Sequence, residues 1–156
     1  MKSEIDGVII KRLTCQKDER GWLAELFRSD EIPAEFRPEM AYMSLSHPGV
    51  VRGPHEHVHQ ADLFCFLGPS DFKIYLWDNR RDSASHGRKI VFEAGQKNPS
   101  LLIIPPGIVH AYKNIGECDG LVFNAPNRLF KGSGRSDAID EIRHEENPNS
   151  PFKLTD

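Results

Sequence analysis

Long apolar runs are missing from this 156-residue chain: no hydrophobic segment exceeds strand length, and the amino-terminal MKSEIDGVIIKRLTCQ offers only Val8, Ile9 and Ile10. A membrane span needs about 20 apolar residues and a secretory leader about 7 to 15, so neither is expected. Cysteine is scarce too. Cys15, Cys65 and Cys118 are odd in number and far apart, which argues against a disulfide framework or a cysteine-based zinc knuckle and leads to the expectation of a soluble protein in a reducing cytoplasm. Basic excess is absent: 20 Lys+Arg stand against 23 Asp+Glu, a formal net charge of −3. That balance gives no electrostatic footprint for nucleic acid or an anionic membrane surface, and the expected partner is a small molecule or a protein. Helical periodicity is the fourth absence. Only 30–36 and 136–145 carry about a turn of helical pattern, and Pro33 limits the first.

What is present reads as β-structure. A chain of this length fits one domain, expected over 1–156. Segments 7–13, 40–46, 63–67, 72–77, 89–92, 101–104, 109–114 and 120–123 alternate or run apolar at strand length. Turn-forming stretches separate them, among them SHPG, GPSD, DNRRDS, GQKNP and NIGECD, at the rhythm of a sandwich or barrel. Phe64, Phe66, Phe72, Ile74 and Leu76 are the expected core, while Tyr75, Trp77 and Tyr112 would line the barrel or meet a partner subunit. Beyond Asn124 the chain turns polar, and DEIRHEENPNSPFK reads as a solvated flank.

Two segments carry chemistry. In VRGPHEHVHQADLFCFLG, His55, His57 and His59 stand two apart, so an extended backbone projects them from one face. His59 reads as a plain surface side chain; the other two can converge on one ion or one substrate. In IPPGIVHAYKN, Pro105, Pro106 and Gly107 form a tight entry to a strand that carries His110.

An HxH pair followed by an acidic residue and then P-x-G-x-x-H-x-x-x-N resembles the paired motifs of the cupin superfamily, small antiparallel jelly rolls with a site in the mouth. Within it the chain resembles the dTDP-4-dehydrorhamnose 3,5-epimerases and their relatives. DERGWLAELFR (18–28) is similar to that family's acidic-R-G-aromatic-x-x-E-x-F, GVVRGPH (49–55) to its G-V-L-R-G-L-H, and IPPGIVHAY to its I-P-x-G-x-A-H-G-F. The resemblance covers residues 7–125. It implies an all-β, cupin-type antiparallel jelly-roll barrel or sandwich with little helix, acting in the cytoplasm as a homodimer. The implied activity is that of an epimerase or isomerase of a nucleotide-linked 4-keto-6-deoxy sugar, with no cofactor.

Such a reaction needs a base to take the proton beside the keto group, a group that steadies the enolate, and an acid on the other face. The resemblance implies His55 as base, oriented by a buried carboxylate, for which Asp78 is the best match, ahead of Glu145 and Glu146. Arg20 and Arg52 match residues that contact the diphosphate; Trp22 and Glu25 match an aromatic and an acid near the nucleotide, and Tyr42 and His110 complete the substrate-binding set. The departures are specific. Asp62 stands where the family has lysine, NAPNRLFK replaces the stretch bearing its proton-donating tyrosine, and Met40 and Tyr42 replace Gln and Asn. With the lysine gone, His55, His57, Asp62 and His110 also make a three-histidine, one-carboxylate set suited to a divalent transition metal, with Gln60 as an alternative fourth ligand. Two further alternatives follow, a metal-dependent cupin enzyme and a non-catalytic sugar-binding cupin.

Overall fold

DLFCF and SLLII are apolar at nearly every position, as strands covered on both faces must be. They pair antiparallel inside the first of two five-stranded sheets. The computed structural model describes residues 3–155; of the domain expected over 1–156, residues 1, 2 and 156 lie outside the described residues. Twelve strands occur among these: β1 (Ile9–Arg12), β2 (Gln16–Asp18), β3 (Gly21–Leu23), β4 (Tyr42–Ser46), β5 (Val51–Glu56), β6 (Asp62–Phe66), β7 (Asp71–Asp78), β8 (Lys89–Gly95), β9 (Ser100–Ile104), β10 (Ile108–Asn114), β11 (Gly120–Asn124) and β12 (Ile142–Arg143). The first sheet runs β1-β9-β6-β11-β4 and the second β12-β5-β10-β7-β8, while β2 and β3 form a separate hairpin. Every pairing is antiparallel. This is a jelly-roll arrangement.

Alternation along the strands sorts side chains into three apolar layers. Between the sheets lie Phe64 and Phe66 from β6, Phe72, Ile74 and Leu76 from β7, and Ile108 and Tyr112 from β10. The opposite face of the first sheet buries Leu63, Cys65, Leu101 and Ile103 beneath Leu13, Leu26, Ile32 and Phe36. Tyr75, Trp77, Val109 and Ala111 line the outer face of the second sheet, where Phe152 and Leu154 cover them. Tyr75 and Trp77 thus meet the chain's own tail.

The eight expected strands all occur, with ends shifted by no more than three residues. The helices do not. Segment 30–36 keeps only the 3-10 turn Ala34–Phe36. Segment 136–145 holds β12 and opens the 3-10 turn His144–Glu146; with no apolar stripe to bury, its backbone bonds go to β5 instead. No helix of the described residues is long and apolar enough to cross a membrane.

Candidate active site

The inner face of β6 begins with a carboxylate where its neighbours on that face carry phenyl rings. Asp62 is 2% exposed and shares the inward side with Phe64 and Phe66. From the facing sheet, β5 and β10 deliver His55 and His110 as register partners. Gly53 makes that approach possible. Its φ is +82°, and a Cβ there would stand 2.5 Å from the His110 carbonyl oxygen, so any larger residue would push the two strands apart. Gly107, at φ +76°, packs against Arg80 and donates its N–H to the His57 carbonyl at 2.8 Å. The PPG turn thereby seats the start of β10 beneath the histidine loop. The terminal Asn114 of the motif is structural: fully buried, it bonds the Ser46 and Cys118 carbonyls and accepts from Ser70 and the Gly116 N–H.

The three rings meet. His55 and His110 lie 4.4 Å apart between centroids, with His57 5.7 and 5.8 Å from them. One ring nitrogen of each falls within 4.8 Å of the others. His57 Nε2 is 3.1 Å and His110 Nε2 3.4 Å from Asp62 Oδ2, and Gln60 and Asn124 donate to Asp62 Oδ1 at 3.1 and 3.2 Å. The Nδ1 atoms of His57 and His110 face the backbone carbonyls of Asp140 and Ile108. These contacts fix both rings with Nε2 toward Asp62, and His110 Nε2 makes no hydrogen bond among the described residues.

Burial and neighbours set the charges. Burial pushes His55 down to about 2, helped by His110 and His57, so its ring is neutral. Burial likewise lowers His110. It works against a charged His57 as well, but the hydrogen bond and charge of Asp62, with the Asp140 carbonyl, outweigh it and raise His57 to about 9. For Asp62 the burial effect is outweighed by His57, His110 and Asn124, which hold the carboxylate below its usual range. A cation therefore stands on the cavity floor, on His57, although position 62 carries an anion.

These shifts predict a stability maximum near neutrality. His55 stays neutral in the folded state, while the unfolded ring takes up a proton below its ordinary 6.5. Its stabilisation is full above that pH and is lost as pH falls, at about 1.4 kcal/mol per pH unit, or about 2 kcal/mol by pH 5. His110 acts in the same direction. His57, raised, contributes fully below 6.5 and loses its contribution as pH rises through about 9. Urea midpoints at pH 5, 6.5 and 9.5 should peak at the middle value, and His55→Gln should flatten the acid limb; an unchanged acid limb would show that His55 protonates normally.

The cavity above this floor measures about 1280 Å³ and is lined by His55, His57, Tyr42, Arg52 and Tyr112 together with 126–133 and 135–145 in part. Arg52 is held by Ser46 Oγ at 3.0 Å and the Leu45 carbonyl at 2.8 Å. Arg20, Trp22 and Glu25 do not line it. They sit on or just after the β2–β3 hairpin, Trp22 56% exposed, Arg20 paired with Asp18 and Glu25 with Arg28. The hairpin belongs to neither wall, so within one chain these residues do not reach the site.

Asp78 requires a correction. Its carboxylate is taken by Arg80, Ser83 and Ser85 at 2.6–2.9 Å, because it ends β7 in a turn whose N–H and hydroxyl donors converge on it. The carboxylates beside His55 are Glu141, 3.9 Å from Nδ1, and Glu145, 4.0 Å. Both come from the segment read as solvated flank. There, Asp140 accepts the backbone N–H groups of Val58, His59 and Gln60, each at 2.8 Å. β12 then pairs with β5, placing Arg143 opposite His55, and His144 bonds Glu56 at 2.8 Å. The one sequence signal was Ile139 and Ile142 around acidic residues, too short to read as a strand.

A two-sheet jelly roll with clustered histidines and a buried carboxylate in its mouth is a cupin. The profile of the dTDP-4-dehydrorhamnose 3,5-epimerases matches residues 2–130, and the chain belongs to that family of enzymes. It is 41% identical over 113 residues to the spore coat polysaccharide biosynthesis protein SpsL of Bacillus subtilis, covering 72% of this chain and 74% of that protein. Identity is 39% over 128 residues, 81% of each chain, to a Haloferax volcanii protein named for a low-salt glycan biosynthesis epimerase, Agl13. A dTDP sugar isomerase from Desulfovibrio desulfuricans shares the fold with a TM-score of 0.82 at 24% identity, over 97% of this chain and 94% of that one.

Proposed function

We propose that this chain epimerises or isomerises a nucleotide-linked 4-keto-6-deoxy sugar, with His55 as the base that removes the proton beside the keto group. The observation that carries this reading is the His55 imidazole at the cavity wall with the Glu141 and Glu145 carboxylates 3.9 and 4.0 Å from its Nδ1. As the ring gains a proton, Glu141 and Glu145 stabilise the imidazolium, the part first assigned to Asp78. The charged His57 lies beside it to oppose the enolate's negative charge. Arg52, pre-oriented by Ser46 and Leu45, takes the diphosphate, since a guanidinium binds phosphate oxygens in pairs. Arg128, Lys131 and Arg135 line the same cavity and offer further cationic groups to the diphosphate. The reaction is tested by incubating dTDP-4-keto-L-rhamnose with the protein in deuterated water. Deuterium entering the carbon beside the keto group supports it; stabilisation of the fold by the nucleotide sugar without exchange would leave a binding module only.

A homodimer belongs to the same proposal. Leu23 at 67% and Trp22 stand exposed on the β2–β3 hairpin, and Met43 at 61% on the edge strand β4, apolar side chains suited to contact with a second copy. Pairing there would bring Arg20, Trp22 and Glu25 to a neighbouring cavity. Light scattering at micromolar concentration should give about twice 17.7 kDa, and a monomer would remove those three residues from the site.

One observation favours a second reading. His57 and His110 each turn Nε2 toward Asp62 with Nδ1 at a carbonyl, the arrangement that orients metal-ligating histidines. With His55 they offer three ring nitrogens within 4.8 Å of one another, a set that fits a divalent transition ion, while Asp62 stands beside His57 and His110. Such an ion would supply Lewis acidity toward the keto oxygen, and His55 would then serve as ligand rather than base.

A further inference from the structure

Inversion at a carbon requires that the new proton arrive on the face opposite the one the base has stripped. His55 lies on β5 in the second sheet, so the acid must come from the other side of the cavity. Few groups in or tied to the histidine cluster hold a proton at neutral pH. His57 has both ring nitrogens engaged, by the Asp140 carbonyl and by Asp62. His110 directs its Nδ1 to the Ile108 carbonyl. Asp62 is ionised, and Cys65 faces away, into the apolar layer behind the first sheet. Tyr112, its hydroxyl 3.1 Å from Ser44 Oγ, stands on β10 in the same sheet as His55.

Tyr42 remains. It opens β4, on the first sheet and so across from β5, and it lines the cavity. Its register partner Asn124 donates Nδ2–H to the phenol oxygen at 2.6 Å, and the same nitrogen lies 3.2 Å from Asp62 Oδ1. The phenol is therefore tied to the carboxylate that anchors the histidines. Because the oxygen accepts from Asn124, its own proton has no acceptor among the described residues and is left for the cavity. The Asn124 donor also meets the negative charge that grows on the oxygen as the proton leaves.

We propose that Tyr42 is the general acid of the inversion, delivering its proton to the enolate carbon on the face opposite His55; this rests on the reading of His55 as base. The C–H pair left when His55 takes the first proton becomes the enolate π bond. That pair then forms the new C–H bond with the Tyr42 proton, and the carbonyl is restored. The imidazolium loses its proton to water and the phenolate regains one, so the sugar changes only in configuration. This assigns the role that NAPNRLFK, lacking a tyrosine, leaves open.

The test separates exchange from inversion. With dTDP-4-keto-L-rhamnose in deuterated water, Tyr42→Phe should keep exchanging the carbon-bound proton, because His55 can return deuterium to the same face, while the inverted sugar forms about 100- to 10,000-fold more slowly. Inversion at the wild-type rate overturns the proposal. So does parallel loss of exchange and inversion in a folded variant, which would make Tyr42 a binding residue. Should Tyr42→Phe not fold, 3-fluorotyrosine at this position, a more acidic phenol, must move the alkaline limb of inversion to lower pH, and an unmoved limb overturns it. Failure of the underlying reading looks different: the wild type itself would then neither exchange nor invert.

Discussion

His55→Ala is expected to lower deuterium incorporation beside the keto group by about 100- to 10,000-fold without unfolding the protein. A positioned base contributes about 100- to 10,000-fold, and the neighbouring cationic and ring groups do not stand in. Arg52 is permanently charged, His110 is fully buried with Nδ1 committed to Ile108, and His57 holds a proton against Asp62. The fold should survive, because His55 stands at the cavity wall rather than inside the layer formed by Phe64, Phe66 and Phe72. The loss should appear in the catalytic rate more than in nucleotide-sugar affinity, a role proposed for Arg52. Exchange at the wild-type rate in a folded His55→Ala protein would move the base elsewhere in the cavity.

The other large effect is expected at Asp62. Its carboxylate is the common partner of His57, Gln60 and Asn124. Asp62→Asn keeps the shape and removes the charge, leaving the His57 imidazolium buried without its counter-ion. Loss of one member of such a pair destabilises by about 3 to 5 kcal/mol, and deprotonation of His57 relieves part of this, so about 3 kcal/mol is expected at pH 7 from urea unfolding. The deficit should shrink at pH 9.5, where His57 is neutral in the wild type as well. Metal analysis on the same two proteins, purified without a histidine tag, separates the readings of the site. Stoichiometric metal in the wild type that disappears in Asp62→Asn makes His55 a ligand; metal-free protein of both kinds with the expected stability difference leaves the Asp62–His57 ion pair and His55 as base. Equal stability at pH 7 would remove the ion pair from the account.

Period-2 alternation made the sheets readable, because DLFCF, FKIYLW and IVHAYKN each carry enough apolar residues to fill one or both faces. The histidines were readable for the same reason: spacing of two in HEHVH, and a PPG turn that can lead only into a strand. Asp78 misled because a strand-terminal aspartate looks alike whether it orients a histidine or gathers turn donors; only the positions of Arg80, Ser83 and Ser85 decide. Of the carboxylates near His55, Glu145 was a candidate ranked behind Asp78, and Glu141 was missed. Glu141 and Glu145 belong to a polar segment whose order comes from backbone pairing with β5 and from Asp140, not from apolar burial, and such order leaves almost no trace in residue type. Tyr42 read as a replaced nucleotide contact, since the hydrogen bond from Asn124 depends on the β4–β11 register.

That late segment also ties catalysis to the order in which the ribosome makes the chain. When His55 and His57 emerge, β10 and β12, the strands that flank β5 on its two sides, have not been made. β10 follows within the next sixty residues, but the other edge of β5 stays bare until residues 140–146 arrive, and with it the loop amides of Val58, His59 and Gln60 that Asp140 will engage. A nascent chain stopped before Asp140 would carry every histidine of the site and most of the barrel, yet it would present an unpaired edge to neighbouring nascent chains. The same few residues that place acids beside the base thus close the edge, so that a copy able to turn over is also a copy whose synthesis has passed that point.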